Sequence, residues 1–224
     1  SYGTPKDRKR ICKSLKGYTV SSLLHRDAYL GVLRLMQVTD DTVSIHKSLF
    51  QELLTVPKET NDGQGEDEPS GMLSLALSDN GSKLFLMVLV QDDDARMKYF
   101  DPYERSILTK IPYIVEKGIE IPTSKKDPEL RRNELLKYIS NALETMCIEN
   151  VDQLLRSVPG SRVLKELYCQ NPRDRVARVV SETVSNSNDS DGSIFEDPVG
   201  HRCLKNMILH DAKSSTDSCI SKAL

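Results

Sequence analysis

Apolar residues recur along this chain at spacings of three and four positions, which is the period of an amphipathic helix. The clearest run follows Asp127, where the apolar positions are Leu136, Ile139, Leu143 and Met146. Period-two alternation, the mark of a half-buried strand, is absent from the pattern. The apolar stretch SKLFLMVLV at 82–90 therefore predicts a buried helix, since the sequence offers no strand to pair with it. The pattern predicts an all-α protein.

Four of the predicted helices share a start signature, in which a capping residue is followed by Pro and then by charged residues within the first turn. It occurs at Thr4-Pro5, Asp101-Pro102, Asp127-Pro128 and Asn171-Pro172. The capping side chain accepts a hydrogen bond from an unpaired N–H group of the first turn, and Pro at the first helical position lacks an N–H that would have no partner there. Four such starts indicate many helices built on a related plan.

A second recurring unit places a glycine and small or polar residues ahead of an apolar run. It occurs at Gly81, Gly160 and Gly200, with a degraded copy around Gly31. Gly160 and Gly200 are 40 positions apart, and Gly81 lies 79 positions before Gly160, about twice that period. A period of this length, made of helices alone, is typical of a stacked-helix array. We therefore expect a helical-repeat solenoid.

Two polar segments interrupt the period. Residues 56–71 are acidic and rich in turn formers and predict a flexible loop, and residues 185–193 predict a second loop. The predicted organisation is degenerate repeats over 1–55, a repeat with a connecting segment over 72–127, repeats with a basic helix over 128–184, and a truncated repeat over 194–224. In the connecting segment, Ile111-Pro112 and Ile121-Pro122 predict extended turns.

The composition favours the same thin architecture. Hydrophobic residues make up 38% of the chain and aromatic residues 5%, fewer than a compact enzyme of this length usually carries. A solenoid needs fewer because each unit buries only one stripe against its neighbours. The net charge of −2 gives no global signature of nucleic-acid binding. Basic residues nevertheless concentrate locally, at 6–16, 125–132 and 173–178.

The five cysteines are scattered, odd in number and without a CxxC pair, which predicts reduced thiols in an intracellular compartment. No apolar run reaches the roughly 18–20 residues of a membrane span, and the first residues do not resemble a signal peptide. We therefore expect a soluble protein without a membrane partner. Because the chain begins without an initiator Met, we also expect a piece of a longer protein.

The sequence predicts no catalytic site and no metal-binding site. His201, Cys203 and His210 lack the spacing of a zinc site, so no metal is expected. No motif pairs a candidate nucleophile, such as Ser161 or Cys147, with a histidine and an acid. We therefore expect neither an enzyme nor a cofactor.

Several motifs resemble a known family. They are YGTPKDRK at 2–9, Asp40-Asp41-Thr42, SKKDPELRRNELL at 124–136 and PVGHRCLK at 198–205. Together with the glycine units, they resemble the C-terminal portion of the Puf-A/penguin class of nucleolar Pumilio-like proteins. The resemblance implies a fragment of a Pumilio/armadillo-like array that acts in large-subunit ribosome biogenesis, in the nucleolus and nucleus. The implied partners are pre-rRNA, with duplex or DNA as alternatives, and pre-60S proteins, and no small-molecule substrate is implied.

The resemblance also indicates which side chains would face RNA, because each Pumilio repeat presents two or three side chains to one base. Aligned by the glycines, these positions are Gly31, Val32 and Leu35; Ser82, Lys83 and Leu86; Ser161, Arg162 and Lys165; and His201, Arg202 and Lys205. Base reading needs fixed donors and acceptors, which none of these sets provides, whereas lysines suit phosphate. We therefore expect backbone contact without base reading.

The candidate RNA-binding residues form three basic groups. They are Lys6, Arg8, Lys9 and Arg10 on the first helix; Lys125, Lys126, Arg131 and Arg132 at a loop-to-helix junction; and Lys83, Arg162, Lys165, His201, Arg202 and Lys205 after the glycines. Each group also has a structural interpretation that does not involve RNA. The charged residues form a solvated helix face, or their aliphatic stems pack over a repeat junction. Two other functions stay open: a protein-binding scaffold of the armadillo or HEAT kind and a sequence-specific mRNA translational regulator.

Overall fold

Helices begin at the predicted cap signatures. Thr4 Oγ1 accepts from Asp7 N at 3.2 Å, and the Asp7 carboxylate accepts from Thr4 N at 3.0 Å, which closes a capping box. Asp101 forms an equivalent box, and Asp127 accepts from the first turn of its own helix. These starts are confirmed, while the start at Asn171 lies outside the described residues.

The structure is a computed structural model that describes residues 3–54, 71–170, 174–187, 192–214 and Ile220. Its helices are α1 (Pro5–Ser14), α2 (Thr19–Leu24), α3 (Ala28–Val38), α4 (Thr42–Ile45), α5 (Gln51–Leu54), α6 (Gly71–Leu77), α7 (Ser82–Leu89), α8 (Asp93–Met97), α9 (Pro102–Leu108), α10 (Pro128–Glu149), α11 (Val151–Arg156), α12 (Val158–Gln170), α13 (Asp174–Asn186) and α14 (Pro198–Ser214). A π-helical stretch (His46–Phe50) joins α4 to α5, and two strands, β1 (Tyr113–Glu116) and β2 (Ile119–Pro122), separate α9 from α10.

The glycine units mark a packed layer of helices. Helix α12 lies between α7 and α14, and each of these helices carries one glycine near its start. A Cβ on Gly81 would lie 2.7 Å from the Leu75 carbonyl oxygen, and on Gly160 and Gly200 it would lie 3.0 Å and 2.9 Å from the carbonyl oxygens of Leu154 and Ile194. The glycines therefore permit close contact with the chain six residues earlier, and the repeat prediction is confirmed at three positions.

The degraded copy at Gly31 does not share this contact, because a Cβ there would meet nothing within 4 Å. The position midway between Gly81 and Gly160 is also different, because it falls in the antiparallel pair β1–β2, where extended turns were predicted. Lys117 and Gly118, at φ 52° and 79°, form the two-residue connection, which suits the right-handed twist of paired strands. This local hairpin is the one departure from an all-α fold within the described residues.

Helix α7 forms the centre of the core. Leu84, Phe85, Leu86 and Leu89 are buried there, which confirms the helix predicted at 82–90. Three residues of the predicted α10 stripe, Ile139, Leu143 and Met146, are likewise buried in the same core, whereas Leu136 is half-buried and the adjacent Leu135 is buried. Helix α10 thus buries one stripe, as the composition predicted for a solenoid, whereas α7 is buried over nearly its whole surface.

The predicted loops fall largely outside the described residues. Residues 55–70 are not described, and Gly71 already begins α6. Helix α13 continues to Asn186, so the first residues of the predicted segment 185–193 are helical, and 188–191 are not described. Within the described part, no single helix is long and apolar enough to cross a membrane, and the pair Gly71–Leu77 and Ser82–Leu89, bent by 87°, meets that test only when taken together.

Candidate nucleic-acid interface

Three motifs that are far apart in the sequence meet at one place in the fold, which we call the Asp40 junction. The junction consists of Arg8 in α1, Asp40 after α3, and residues 123–134, which lead into α10. The Asp40 carboxylate accepts from Ser124 Oγ at 2.6 Å, from Lys125 N at 2.8 Å and from Arg131 Nη2 at 2.9 Å. The junction thereby ties the first helices to the connecting segment.

The electrostatics of the junction favour the ionised carboxylate. Burial raises the pKa of Asp40, but the hydrogen bonds from Lys125, Ser124 and Arg131 outweigh burial and lower this pKa to about 2. Two further contacts surround it: Lys9 Nζ lies 3.2 Å from the carboxylate of Asp41, and Lys126 Nζ lies 2.6 Å from that of Glu134. The junction is therefore a network of paired charges.

The structure removes three arginines from the predicted RNA-binding surface. Arg8, Arg131 and Arg132 are 3%, 5% and 6% exposed, respectively, and are hydrogen-bonded within the chain. Arg8 donates to the Val38 carbonyl at the end of α3, and Arg132 Nη1 donates to the Val88 carbonyl near the end of α7 at 3.0 Å. Helix ends leave carbonyls without intrahelical donors, and these guanidinium groups supply donors from neighbouring helices. We therefore treat all three as structural residues.

The sequence did contain a signal for this outcome. Arg131 precedes the buried Leu135 by four positions, and Arg132 precedes it by three, so both continue the apolar stripe of α10 one turn towards its start. Arg8 likewise stands four positions before the buried Cys12 in α1. A charged residue that extends a buried stripe is a candidate for a contact inside the fold. We had instead predicted that these arginines contact RNA at the surface.

Lys83 and Lys165, two of the residues after the glycines, are engaged with internal carboxylates. Lys83 Nζ pairs with the buried Glu104 and lies 5.1 Å from the centre of the Tyr29 ring. Lys165 Nζ pairs with Glu166 and contacts the Tyr99 hydroxyl at 3.1 Å. Burial lowers the pKa of Lys165, but Glu166 more than offsets burial and raises it. Neither ammonium group is available to phosphate without breaking an ion pair.

Four predicted residues remain exposed on the glycine-bearing layer. They are Arg162 on α12 and His201, Arg202 and Lys205 on α14. Their side chains make no hydrogen bond or ion pair with any residue that the structure describes. Arg162 and Arg202 both stand two positions after a repeat glycine, on helices that pack side by side. These four residues form what we call the α12–α14 face.

The remaining predicted residues lie elsewhere. Lys6, Lys9 and Arg10 are exposed on α1, Lys125 is exposed at the Asp40 junction, and Lys126 is half-buried there. Lys9 and Lys126 are held in the ion pairs with Asp41 and Glu134 described above. The predicted set is therefore divided among separate elements.

A cavity of about 540 Å³, which we call the α3–α7 cavity, lies near the C-terminal ends of these two helices. Among its lining side chains are Arg34, Arg96 and Lys110, which the sequence did not single out. They come from three separate helix ends, α3, α8 and the residues after α9, and each stands alone in the sequence. No local pattern could therefore have identified them as one cluster.

The candidate thiols and hydroxyls that the structure describes are buried or hydrogen-bonded to main-chain carbonyls. Burial raises the pKa of Cys147 and of Cys203 to about 12, which keeps both thiols protonated at neutral pH. Ser14 Oγ and Ser161 Oγ donate to carbonyls of their own helices. Within the described residues, no group of three or more His, Cys, Asp or Glu side chains is placed to hold a metal ion.

Comparison with known proteins adds family information. The CPL (NUC119) domain matches residues 77–218. The chain is 26% identical over 220 residues to Pumilio homology domain family member 6 of Schizosaccharomyces pombe, and the match covers 97% of this chain and 31% of that protein. It is also 26% identical over 233 residues to Pumilio homolog 3 of Homo sapiens, covering 100% and 32%. The chain thus spans about a third of the length of the curated relatives it matches.

Solved structures share the fold. The crystal structure of human Puf-A superposes with a TM-score of 0.77 at 24% identity, covering 100% of this chain and 40% of that one. The structure of human Puf-A in complex with DNA gives a TM-score of 0.76 at 24% identity, covering 99% and 40%. The helical-repeat fold expected from the sequence is therefore confirmed.

Proposed function

Because this chain belongs to the CPL (NUC119) domain family of Pumilio-like proteins, we propose that it binds nucleic acid, and RNA in particular, as a non-catalytic scaffold. Binding occurs through the phosphate backbone, on the α12–α14 face. One structural neighbour, human Puf-A, was crystallised with DNA, which supports a nucleic acid as the ligand.

The observation that carries this proposal is the equivalent placement of two guanidinium groups that have no ion-pair partner among the described residues. Arg162 and Arg202 occupy the same position after a glycine on adjacent helices, whereas Lys83, the residue at that position on α7, is neutralised by Glu104. Lys205 lies on α14 three residues after Arg202, on the same side of the helix. Cations at equivalent positions on adjacent helices suit a ligand that carries successive phosphates.

The test reverses three charges together, Arg162→Glu, Arg202→Glu and Lys205→Glu. Binding of mixed-sequence single-stranded RNA is measured by fluorescence anisotropy over a series of salt concentrations. Each lost phosphate contact lowers the salt slope by about 0.7 for a single strand, so three contacts lower it by about 2. We expect Kd to rise by about tenfold or more at low salt.

A matched control reverses Lys47, Lys98 and Lys137, which are exposed and lie outside every predicted group. The net charge changes equally in both variants, so a general electrostatic effect weakens binding equally in both. If the two triple variants bind RNA alike, or if the α12–α14 variant keeps the original salt slope, the proposed interface is wrong.

Binding is expected to be indifferent to base sequence. His201, Arg202 and Lys205 on α14 offer no fixed pair of donor and acceptor for a base edge, and Lys165 on α12 is held by Glu166. Competition between unrelated RNA sequences measures this directly. A strong preference for one short motif would support the sequence-specific regulator instead.

We propose further that the protein acts in the nucleolus and nucleus, on pre-rRNA and pre-60S particles during large-subunit ribosome biogenesis. The resemblance to Puf-A/penguin proteins supports this role. Fluorescence microscopy of the tagged full-length protein, together with its sedimentation on a sucrose gradient, tests the role. A cytoplasmic protein that never sediments with large-subunit precursors would contradict it.

A further inference from the structure

The α3–α7 cavity combines an adaptable apolar floor with an opening to solvent. The floor includes Met36, Met87, Met97, Leu108 and Leu135. Methionine side chains adjust to irregular partners, which is why they are common at surfaces that bind peptides. A volume of about 540 Å³ lies within the ordinary range of ligand sites and accommodates a few side chains rather than a folded domain. A sugar-phosphate backbone is too polar to fill such a floor.

The cavity wall has an excess of positive charge. Seven lining side chains are cationic and two are anionic; the cationic ones are Arg34, Arg96, Lys110, Lys125, Lys126, Arg131 and Arg132, and the anionic ones are Asp93 and Asp127. Three of these cations are paired, Arg96 with Asp93, Arg131 with Asp40 and Lys126 with Glu134. The excess is nevertheless large enough to attract an acidic ligand.

Arg132 is a buried cation of the cavity wall that forms no ion pair with a described residue. Its guanidinium group donates to the Val88 carbonyl at 3.0 Å and to Asn133 Oδ1 at 2.7 Å, both of which are uncharged. None of the described carboxylates lies within ion-pair distance of it. Burial lowers the pKa of Arg132 and the neighbouring Arg96 lowers it further, and the more distant carboxylates of Glu129 and Asp93 offset only part of this. The Nε atoms of Arg96, Arg131 and Arg132 are buried without a hydrogen-bond partner among the described residues. Because an uncompensated buried charge is costly, a carboxylate at the cavity would be stabilising.

Exposed apolar surface continues from the cavity onto the β1–β2 hairpin. Ile111 lines the cavity and is nevertheless 73% exposed, and Val115 and Ile119 on the strands are 64% and 66% exposed. Exposed aliphatic side chains on contiguous elements are typical of protein-contact surfaces, whereas nucleic-acid interfaces are more polar and more basic. The hairpin has two strands, so each strand also presents an outer edge that an extended chain could pair with.

From these observations we propose that the α3–α7 cavity and the adjoining hairpin bind an extended segment of a partner protein that carries both acidic and aliphatic side chains. Its aliphatic side chains enter the methionine-lined floor, and its carboxylates lie against the lysines of the rim and face Arg132. This site is independent of the α12–α14 face, so the protein holds a nucleic acid and a protein at different places.

The test begins with selection of a random-peptide display library against the purified chain. A synthetic peptide of the enriched sequence is then titrated by fluorescence anisotropy. Two variants alter the site without disturbing the core: Lys110→Glu with Lys125→Glu reverses two exposed rim charges, and Ile111→Asp alters an exposed aliphatic side chain. We expect enriched peptides to combine Asp or Glu with Leu, Ile or Met, and both variants to weaken binding by about tenfold, or about 1.4 kcal/mol.

The matched control is Lys47→Glu with Lys137→Glu, an equal charge change at exposed positions outside the cavity, which should leave peptide affinity unchanged. The proposal is overturned if no peptide is enriched, or if enriched peptides bind the rim variant as tightly as the original chain. It is also overturned if Lys110→Glu with Lys125→Glu weakens RNA binding while no peptide depends on these residues, because the cavity would then belong to the nucleic-acid interface. The variant of the α12–α14 face tests RNA binding separately.

Discussion

Replacing Asp40 with asparagine should destabilise the fold, because it removes the carboxylate charge that faces Arg131 while keeping the size of the side chain. The pKa of Asp40 is lowered from 3.8 to about 2, and one pKa unit corresponds to about 1.4 kcal/mol. The folded state therefore stabilises the ionised form by about 2 kcal/mol. Arg131 is left buried with a weaker partner, which adds to the loss, so we expect the free energy of unfolding to fall by about 2–3 kcal/mol at neutral pH.

The pH dependence of this effect has a definite sign. Because the pKa of Asp40 is lower in the folded state, its contribution to stability is fully present above its unfolded pKa of 3.8 and is lost as the pH falls towards about 2. Urea denaturation followed by circular dichroism, at neutral pH and at several acidic values, measures the contribution. The difference between the original chain and Asp40→Asn should shrink over that acidic window.

Asp79→Asn is the matched control, since Asp79 is exposed and its side chain has no hydrogen bond or ion pair with the described residues. The reasoning is refuted if Asp40→Asn is as stable as Asp79→Asn, or if its deficit does not change with pH. The same variant also tests the role of Arg131 in binding. If Arg131 contacted RNA, removal of its competing carboxylate would tighten binding, whereas we expect Kd to be unchanged where both proteins are folded.

Three further predictions can be checked by urea denaturation and thiol labelling. Gly81→Ala should lower the free energy of unfolding by about 1–3 kcal/mol, because the added Cβ would meet the main chain of Leu75. Gly31→Ala should instead stabilise α3 by about 0.5–1 kcal/mol, because the space around Gly31 is open. Equal effects of the two substitutions would contradict the described packing. Gly118→Ala should cost about 1 kcal/mol, since φ is +79° there, and a neutral effect would rule out this turn. Cys147, whose pKa burial raises to about 12, should resist alkylation at neutral pH until the protein unfolds, and rapid labelling of the native protein would argue against its burial.

The local elements of the fold could be predicted from the sequence, because their causes are local. A capping residue, a proline and a charged first turn start a helix within a few positions, as at Thr4, Asp101 and Asp127. The repeat glycines were recognisable because each one contacts the chain only six residues earlier. The hairpin at 113–122 was missed because each strand has only four residues, too few for a clear period-two pattern, and exposed aliphatic residues occupy both strands.

The candidate site was only partly predictable, because charge in a sequence does not show which partner a cation will meet. Arg132 and Arg202 both stand in basic helical segments, yet one is buried and donates to a carbonyl of α7 while the other is exposed. Lys83 and Arg162 occupy equivalent repeat positions, and only Lys83 has the buried Glu104 beside it. The α3–α7 cavity has no sequence signature, because its lining comes from several helix ends.

The sequence by itself therefore determined the class of fold, the helix starts and the close contacts at the glycines, since these depend on residues within one or two turns of each other. Only the tertiary structure decided which basic residues are available to a ligand. Arg8 donates to carbonyls 30 and 115 positions away, and Arg132 donates to one 44 positions away. Main-chain carbonyls at helix ends and carboxylates from distant segments bind several of the predicted cations inside the fold. The predicted residues that remain exposed on α12 and α14 define the α12–α14 face.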